Sequence, residues 1–320
     1  MTKLNARKAA VIGCGFVGAT VAYTLMQTEL FSELVLVDVN KGKAEGEALD
    51  LIHGLPFAHP MQIYAGDYND IADAAVVVMT AGANQKPGGE TRLELVKRNA
   101  AIMYSISKEL KKVECQGTMI VVANPVDILT YIAIKHAGFK EGKVIGSGTN
   151  LDTARFKTLL GEALDVDPRS VHGYIIGEHG DSEVAVYSSA NVSGVNVDEF
   201  AKIRGIDNFE EIKDGIAYET KAVAYEIIDK KRATYYAIAM SVKRIVTAIC
   251  HDEKSVLPVS YMMNGEYGIN DICMSLPTVL GQDGVLARIP ISLNEKENQA
   301  LHHSADVLKE ILQDALTDLG

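Results

Sequence analysis

The chain has 320 residues, of which 48% are hydrophobic and 23% charged, and it carries a formal net charge of −11. That length accommodates one large or two ordinary domains with substantial cores, and the composition is that of a globular protein. The acidic balance argues against a nucleic-acid partner, and no run approaches the roughly 18 apolar residues of a membrane span.

In chain order, residues 9–12 form a short apolar segment that fits a buried parallel strand. Gly13-Cys14-Gly15-Phe16-Val17-Gly18 follows, a G-x-G-x-x-G run that leads into a helical pattern over residues 19–27. In such a run Gly13 permits the tight turn, Gly15 lets backbone approach a pyrophosphate, and Gly18 lets the helix pack close to the strand. The helix N-terminus then offers free N–H groups and its dipole to the phosphates. A second apolar strand, residues 34–37, ends in Asp38, twenty positions after Gly18. An acid there accepts hydrogen bonds from ribose hydroxyls and repels a 2′-phosphate, which favours NAD over NADP.

A helical stretch through Lys43 and Leu51 comes next, then strands at 62–65 and 75–79, a long amphipathic helix at 93–111, and strands at 119–122 and 144–145. This alternation predicts an α/β fold with a doubly wound parallel sheet of the Rossmann type, with ligands at the C-terminal strand ends. From residue 150 the pattern changes. Helices at 151–164, 207–228, 234–249 and 294–316 mix with β-rich stretches at 171–176, 255–263 and 269–276. Residues 1–149 are therefore expected to be a dinucleotide-binding domain and residues 150–320 an α+β substrate domain.

Cys14, Cys115, Cys250 and Cys273 are scattered, with no C-x-x-C pair and no metal-ligand spacing. They read as inert thiols of a reducing cytosol, and no metal is expected. Residues 1–7 carry no secretory apolar region. A cytoplasmic protein is expected.

The candidate chemistry lies in Asp152 and Arg155, at i, i+3 on one helix face, and in His179, at the polar end of the 171–176 strand. A histidine there can move a proton near neutral pH. A nearby carboxylate would hold one ring nitrogen, and an arginine would fork onto a substrate carboxylate. With a hydride acceptor, this set suits the oxidation or reduction of a small hydroxy acid. Taken alone, the three residues fit a helix ion pair and a surface histidine better; the glycine loop changes that balance.

The glycine loop, Thr80-Ala81-Gly82-Ala83-Asn84-Gln85-Lys86-Pro87, Glu90-Thr91-Arg92, Val122-Ala123-Asn124-Pro125-Val126-Asp127, Asp152-Thr153-Ala154-Arg155, Gly177-Glu178-His179-Gly180 and Ala233-Thr234 occur in this order. With these motifs the chain resembles the NAD-dependent L-lactate dehydrogenases and, more loosely, the malate dehydrogenases, over nearly its whole length. The resemblance implies that His179 is the acid–base residue, Asp152 its carboxylate partner and Arg155 the binder of the substrate carboxylate. It implies that residues 82–92 form a closing loop on which Arg92 polarises the carbonyl. Asn124 and Thr234 would contact substrate, with Asn124 also at the nicotinamide. Val17, Lys43, Tyr68, Gly82, Ala83, Ser105 and Ser147 would join Gly13, Gly15, Gly18 and Asp38 as cofactor contacts.

Malate dehydrogenases carry an arginine at the position of Gln85, where it pairs with a second substrate carboxylate. A neutral glutamine favours pyruvate and lactate. Gly88-Gly89 is one glycine longer than is usual in bacterial relatives, so a malate or branched 2-hydroxy acid substrate stays open. Asp152, Arg155, His179 and Arg92 together argue against an NAD-sensing regulator, while a structural protein that retains this set stays as a lesser alternative. The resemblance also implies a homotetramer. Relatives that bind fructose 1,6-bisphosphate at a subunit interface carry an arginine and a histidine that fall on Lys157 and His172. Lysine neutralises a phosphate but cannot fork onto it, so an effector site and an ordinary surface pair both stand.

Overall fold

The computed structural model describes residues 3–83 and 91–317. The first half runs β1 (Asn5–Ile12), α1 (Phe16–Met26), β2 (Glu33–Val37), α2 (Lys41–Gly54), β3 (Gln62–Ala65), β4 (Ala74–Met79), α3 (Arg92–Lys112), β5 (Thr118–Val121), α4 (Val126–His136) and β6 (Val144–Gly146). The second half runs α5 (Asn150–Leu164), β7 (Val171–Ile176), β8 (Val184–Val192), β9 (Val195–Asn196), α6 (Val197–Ile203), α7 (Phe209–Lys231), α8 (Tyr236–Cys250), β10 (Ser255–Asn264), β11 (Asn270–Gly281), β12 (Gly284–Arg288) and α9 (Glu295–Leu316).

The six strands of the first half are parallel, in the order β6-β5-β4-β1-β2-β3. They are buried on both faces, so their side chains divide strictly by the period of two. Ala10 and Ile12 face one core, with Val77 and Met79 from β4 and the apolar sides of α3, α4 and α9. Ala9 and Val11 face the other, with Val76 and Val78 and the apolar sides of α1, α2 and α8. Each fully buried Val or Ile contributes about 1.5–3 kcal/mol, and a one-residue slip would exchange the two sets. A third core joins α5, α6 and α7 to β7 and β8.

The strands after residue 150 do not all belong to a separate sheet. β10 pairs antiparallel with β6 through Ser260 and Gly146, and β11 and β12 follow, giving one sheet of nine strands. β6 is a three-residue strand, and the later hairpins cover the edge it would otherwise expose. Only β7, β8 and β9 form a second, antiparallel sheet among the described residues. α4 has no counterpart in the periodicity, because Val126 to Ala133 are all buried and leave no polar face to set a helical period.

Candidate active site

The glycine run sits where β1 lies between β4 and β2, the point at which strand order reverses and ligands enter an open α/β sheet. Gly13 has φ +98°, and a Cβ there would lie 2.5 Å from the Ala81 nitrogen. At Gly18 an added Cβ would come within 1.8 Å of the Gly13 carbonyl oxygen, which forces a bare Cα against the turn. A Cβ at Gly15 would meet open space, so backbone is presented to whatever occupies the crevice. No side chain caps the start of α1, which leaves its first-turn N–H groups available to phosphate oxygens. These features fit a dinucleotide.

Asp38 serves the loop itself. Its Oδ2 accepts the Cys14 N–H at 2.7 Å and its Oδ1 accepts the Asn40 N–H at 2.8 Å. Of the other expected cofactor contacts, Lys43 is exposed on α2, Val17 and Tyr68 are half-buried, and Ser147 is buried, its N–H donating to Val121 O at 2.8 Å. Ser105 is exposed on α3, and Gly82 and Ala83 follow β4. Asn99, which no sequence motif marks, ties the ends of β4 and β5 together. Its Oδ1 accepts the Ala83 N–H at 2.8 Å and its Nδ2 donates to Asn124 O at 2.8 Å, fixing Asn124 just before its cis peptide to Pro125.

Where α5 meets the turn after β7, three side chains come together. His179 Nδ1 is 2.5 Å from Asp152 Oδ2, and Arg155 Nη1 donates to Asp152 Oδ1 at 2.9 Å. Local chemistry puts them there. Thr149 Oγ1 at the start of α5 donates to Ile175 O at 2.6 Å, and Thr153 Oγ1 accepts the Ile175 N–H at 2.9 Å, so the first turn of α5 is tied to β7. Gly177, at φ +91°, turns the chain and exchanges two backbone hydrogen bonds with Ser275 of β11. The His179 N–H then donates to Asp127 Oδ2 at 2.8 Å. Asp127 is a further residue whose role the sequence did not disclose, although an acid inside the apolar run of α4 is the kind of signal that marks one.

The electrostatics follow the geometry. Burial disfavours the imidazolium, but the charge and hydrogen bond of Asp152 outweigh it and lift the His179 pKa to about 9. Burial likewise favours a neutral Asp152, and His179 together with Arg155 holds it below the ordinary carboxylate range. Burial pushes Asp127 up to about 6 against the hydrogen bonds of Ser260 and His179. Arg155 spends Nη1 on Asp152, while its other nitrogens make no hydrogen bond among the described residues. A protonated imidazole, an orienting carboxylate and a guanidinium with donors to spare can protonate an oxygen and hold a carboxylate next to it.

Thr234 is half-buried, two residues before α8, and does not cap it; Tyr235 occupies the cap position. Arg92 is the first residue of α3, set by a capping box between Thr91 and Glu94. Gln85 and the double glycine Gly88-Gly89 lie outside the described residues. Lys157, on α5, is half-buried and makes no ion pair among the described residues, and His172, on β7, is exposed. No helix among the described residues is long and apolar enough to cross a membrane.

Residues 7–146 match the family model described as lactate/malate dehydrogenase, NAD binding domain, which makes NAD the cofactor of this fold. Residues 149–318 match the model described as lactate/malate dehydrogenase, alpha/beta C-terminal domain. The chain is 50% identical to an L-lactate dehydrogenase of Acetivibrio thermocellus over 312 residues, covering 96% of each chain. It is 47% identical to an L-lactate dehydrogenase of Thermoanaerobacter pseudethanolicus, covering 96% of this chain and 98% of the relative. Among solved structures, the ligands-bound minor L-lactate dehydrogenase of Enterococcus mundtii superposes with a TM-score of 0.92 at 46% identity, covering 96% of this chain and 98% of that one. A lactate dehydrogenase, MGS-M5, from a Medee basin deep-sea metagenome library gives 0.93 at 44%, covering 98% and 99%.

Proposed function

We propose that this chain, which belongs to the lactate/malate dehydrogenase family, is an NAD-dependent L-lactate dehydrogenase that interconverts pyruvate and L-lactate. The observation that carries the reading is the contact of Asp152 with both His179 and Arg155, at 2.5 Å and 2.9 Å. When bound, NADH would supply the hydride to pyruvate and NAD+ would accept it from lactate. His179, already protonated at neutral pH, gives its proton from the ring nitrogen opposite Asp152 to the carbonyl oxygen of pyruvate, and takes one from the lactate hydroxyl in reverse. Asp152 keeps the ring oriented and stabilises the imidazolium. Arg155 holds the substrate carboxylate with the donors that Asp152 leaves free, and Asn124 and Thr234 border the same pocket. Arg92 polarises the carbonyl from the first position of α3. Gly13, Gly15, Val17, Gly18, Asp38, Lys43, Tyr68, Gly82, Ala83, Ser105 and Ser147 line the path of the dinucleotide.

In this reading residues 1–149 serve cofactor binding and residues 150–320 supply most of the catalytic groups. The protein works in the cytoplasm as a homotetramer, in fermentative reoxidation of NADH. Fructose 1,6-bisphosphate binds at Lys157 and His172, across a symmetry axis where each subunit presents the same patch. Gln85 sets the preference for pyruvate by withholding a charge from a second carboxylate.

The test follows NADH absorbance with pyruvate, oxaloacetate and a branched 2-oxo acid in parallel, for the natural protein and Q85R. Pyruvate is expected to give the highest kcat/KM, and Q85R to move the pyruvate-to-oxaloacetate ratio toward oxaloacetate. A natural protein that prefers oxaloacetate or the branched acid reassigns the substrate, and no turnover with any of the three overturns the enzyme reading.

A further inference from the structure

Glu183 stands between the end of the catalytic turn and β8, almost fully buried, and its Oε1 has no hydrogen-bond partner. A carboxylate oxygen of Glu183, one of Asp152 and a ring nitrogen of His179 all lie within 4.8 Å of one another. On its other side Glu183 borders a cavity of about 360 Å³ between the catalytic turn, α7 and α9. The cluster does not call for a metal cation, since Arg155 and His179 already supply positive charge to Asp152 at 2.9 Å and 2.5 Å.

Resting on the dehydrogenase reading above, we propose that Glu183 is a positioning residue of the acid–base pair: it is a neutral carboxylic acid at physiological pH, and its ionisation in mildly alkaline solution prolongs the protonated state of His179.

The argument is electrostatic. Two carboxylates a few ångströms apart and out of water do not both ionise readily. Asp152 takes the charge because Arg155 and His179 touch it, and Glu183 has neither contact. Burial first, and then the Asp152 charge, push the Glu183 pKa far above the usual carboxylate range, against His179, Lys221 and Arg155. The charged and titratable groups around it are Asp152 and Arg155 of α5, Glu178, His179 and Asp181 of the turn, Lys221 of α7, and His303 of α9 at the cavity rim. Lys221 is committed to the Asp181 carbonyl oxygen at 3.0 Å, so it does not neutralise Glu183 by contact. When Glu183 does lose its proton, the new negative charge favours the imidazolium, and the two groups titrate as a linked pair.

The experiment compares the natural protein with E183Q and E183D, each checked for folding by NADH fluorescence titration. The His179 imidazole is titrated by NMR without substrate, with H179N to assign its signal, and the pH profile of pyruvate reduction is recorded alongside. In E183Q the His179 midpoint and the alkaline limb of the profile are expected to fall together by about one pH unit, whereas E183D keeps both near their natural values. Superimposable His179 titrations of the natural protein and E183Q overturn the proposal. If E183Q does not fold, infrared spectroscopy of the natural protein decides. The proposal requires a protonated carboxyl band at neutral pH that disappears on mild alkalinisation, and its absence at neutral pH overturns it. The NMR and infrared arms read protonation without turnover, so they stand even if no 2-oxo acid is reduced, a result that would strike only the proposed activity.

Discussion

Asp127 Oδ2 accepts the backbone N–H of His179 at 2.8 Å, across 52 positions of sequence. Its other oxygen accepts the Ser260 hydroxyl at 2.5 Å. One buried carboxylate on α4 thus joins the turn after β7 to β10, and His179 is held by its main chain as well as by its ring.

D127N retains the shape but turns an NH2 group toward one of the two donors, the His179 N–H or the Ser260 hydroxyl. Leaving a buried donor unpaired costs about 1–3 kcal/mol, so kcat is expected to fall about tenfold or more while NADH affinity holds. There is a second signature. Burial lifts the Asp127 pKa from 3.8 to about 6, so the native state binds this proton more tightly than the unfolded chain does. That group therefore removes about 3 kcal/mol of stability as pH rises from about 4 to about 6. Urea unfolding of both proteins at the two ends of that range should show the slope diminished by this amount in D127N.

His179 gives the opposite sign at higher pH. Its native pKa, about 9, lies above the ordinary 6.5, so its contribution is complete below 6.5 and is lost as pH rises through 9. Unfolding measurements across that window should show a loss of about 3 kcal/mol in the natural protein that D152N largely lacks. In the proposed reaction the same proton governs turnover. Pyruvate reduction in the free enzyme is expected to decline above about pH 9, while lactate oxidation rises toward it. H179N should cut turnover by about 10²–10⁴-fold with NADH binding preserved, as fluorescence titration would register.

Asp38 accepts a hydrogen bond from the glycine loop through Cys14 N–H at 2.7 Å. D38A should therefore do more than relax the rejection of a 2′-phosphate. It deprives that N–H of its acceptor and slackens the turn, so kcat/KM for NADH is expected to drop about tenfold, by one hydrogen bond of about 1–1.5 kcal/mol, while the NADH-to-NADPH preference narrows. Steady-state rates with both cofactors give the two numbers. An unaltered preference would relieve Asp38 of its discriminating role.

Burial holds the Lys157 amine below the usual lysine range, and no carboxylate pairs with it among the described residues. An anion bridging two such patches would relieve their mutual repulsion and favour the subunit arrangement that binds pyruvate better. Pyruvate saturation curves should shift to lower concentration with fructose 1,6-bisphosphate, and K157A should abolish the shift. Superimposable curves with and without the effector would reduce Lys157 and His172 to a surface pair.

Much of the site could be read from residue types because their chemistry is local. The glycine run, Asp38, and the Asp152–Arg155 spacing each require particular side chains at fixed offsets, and the structure brings Asp152, Arg155 and His179 into contact. The residues that escaped notice act over long separations or through main-chain groups. Asp127 grips a backbone N–H, Asn99 grips the backbone of Ala83 and Asn124, and Glu183 owes its character to burial. None of these leaves a periodic trace. For the same reason α4 merged into its apolar surroundings, and the Ser260–Gly146 pairing, which unites the large sheet, is invisible to any window along the chain.

That pairing has a consequence for how the molecule works. Two lobes joined only by a linker can swing about a hinge and swallow a ligand between them. Here β10 is hydrogen-bonded to β6, and nine strands run continuously from one half into the other. A clamshell movement would have to tear the sheet.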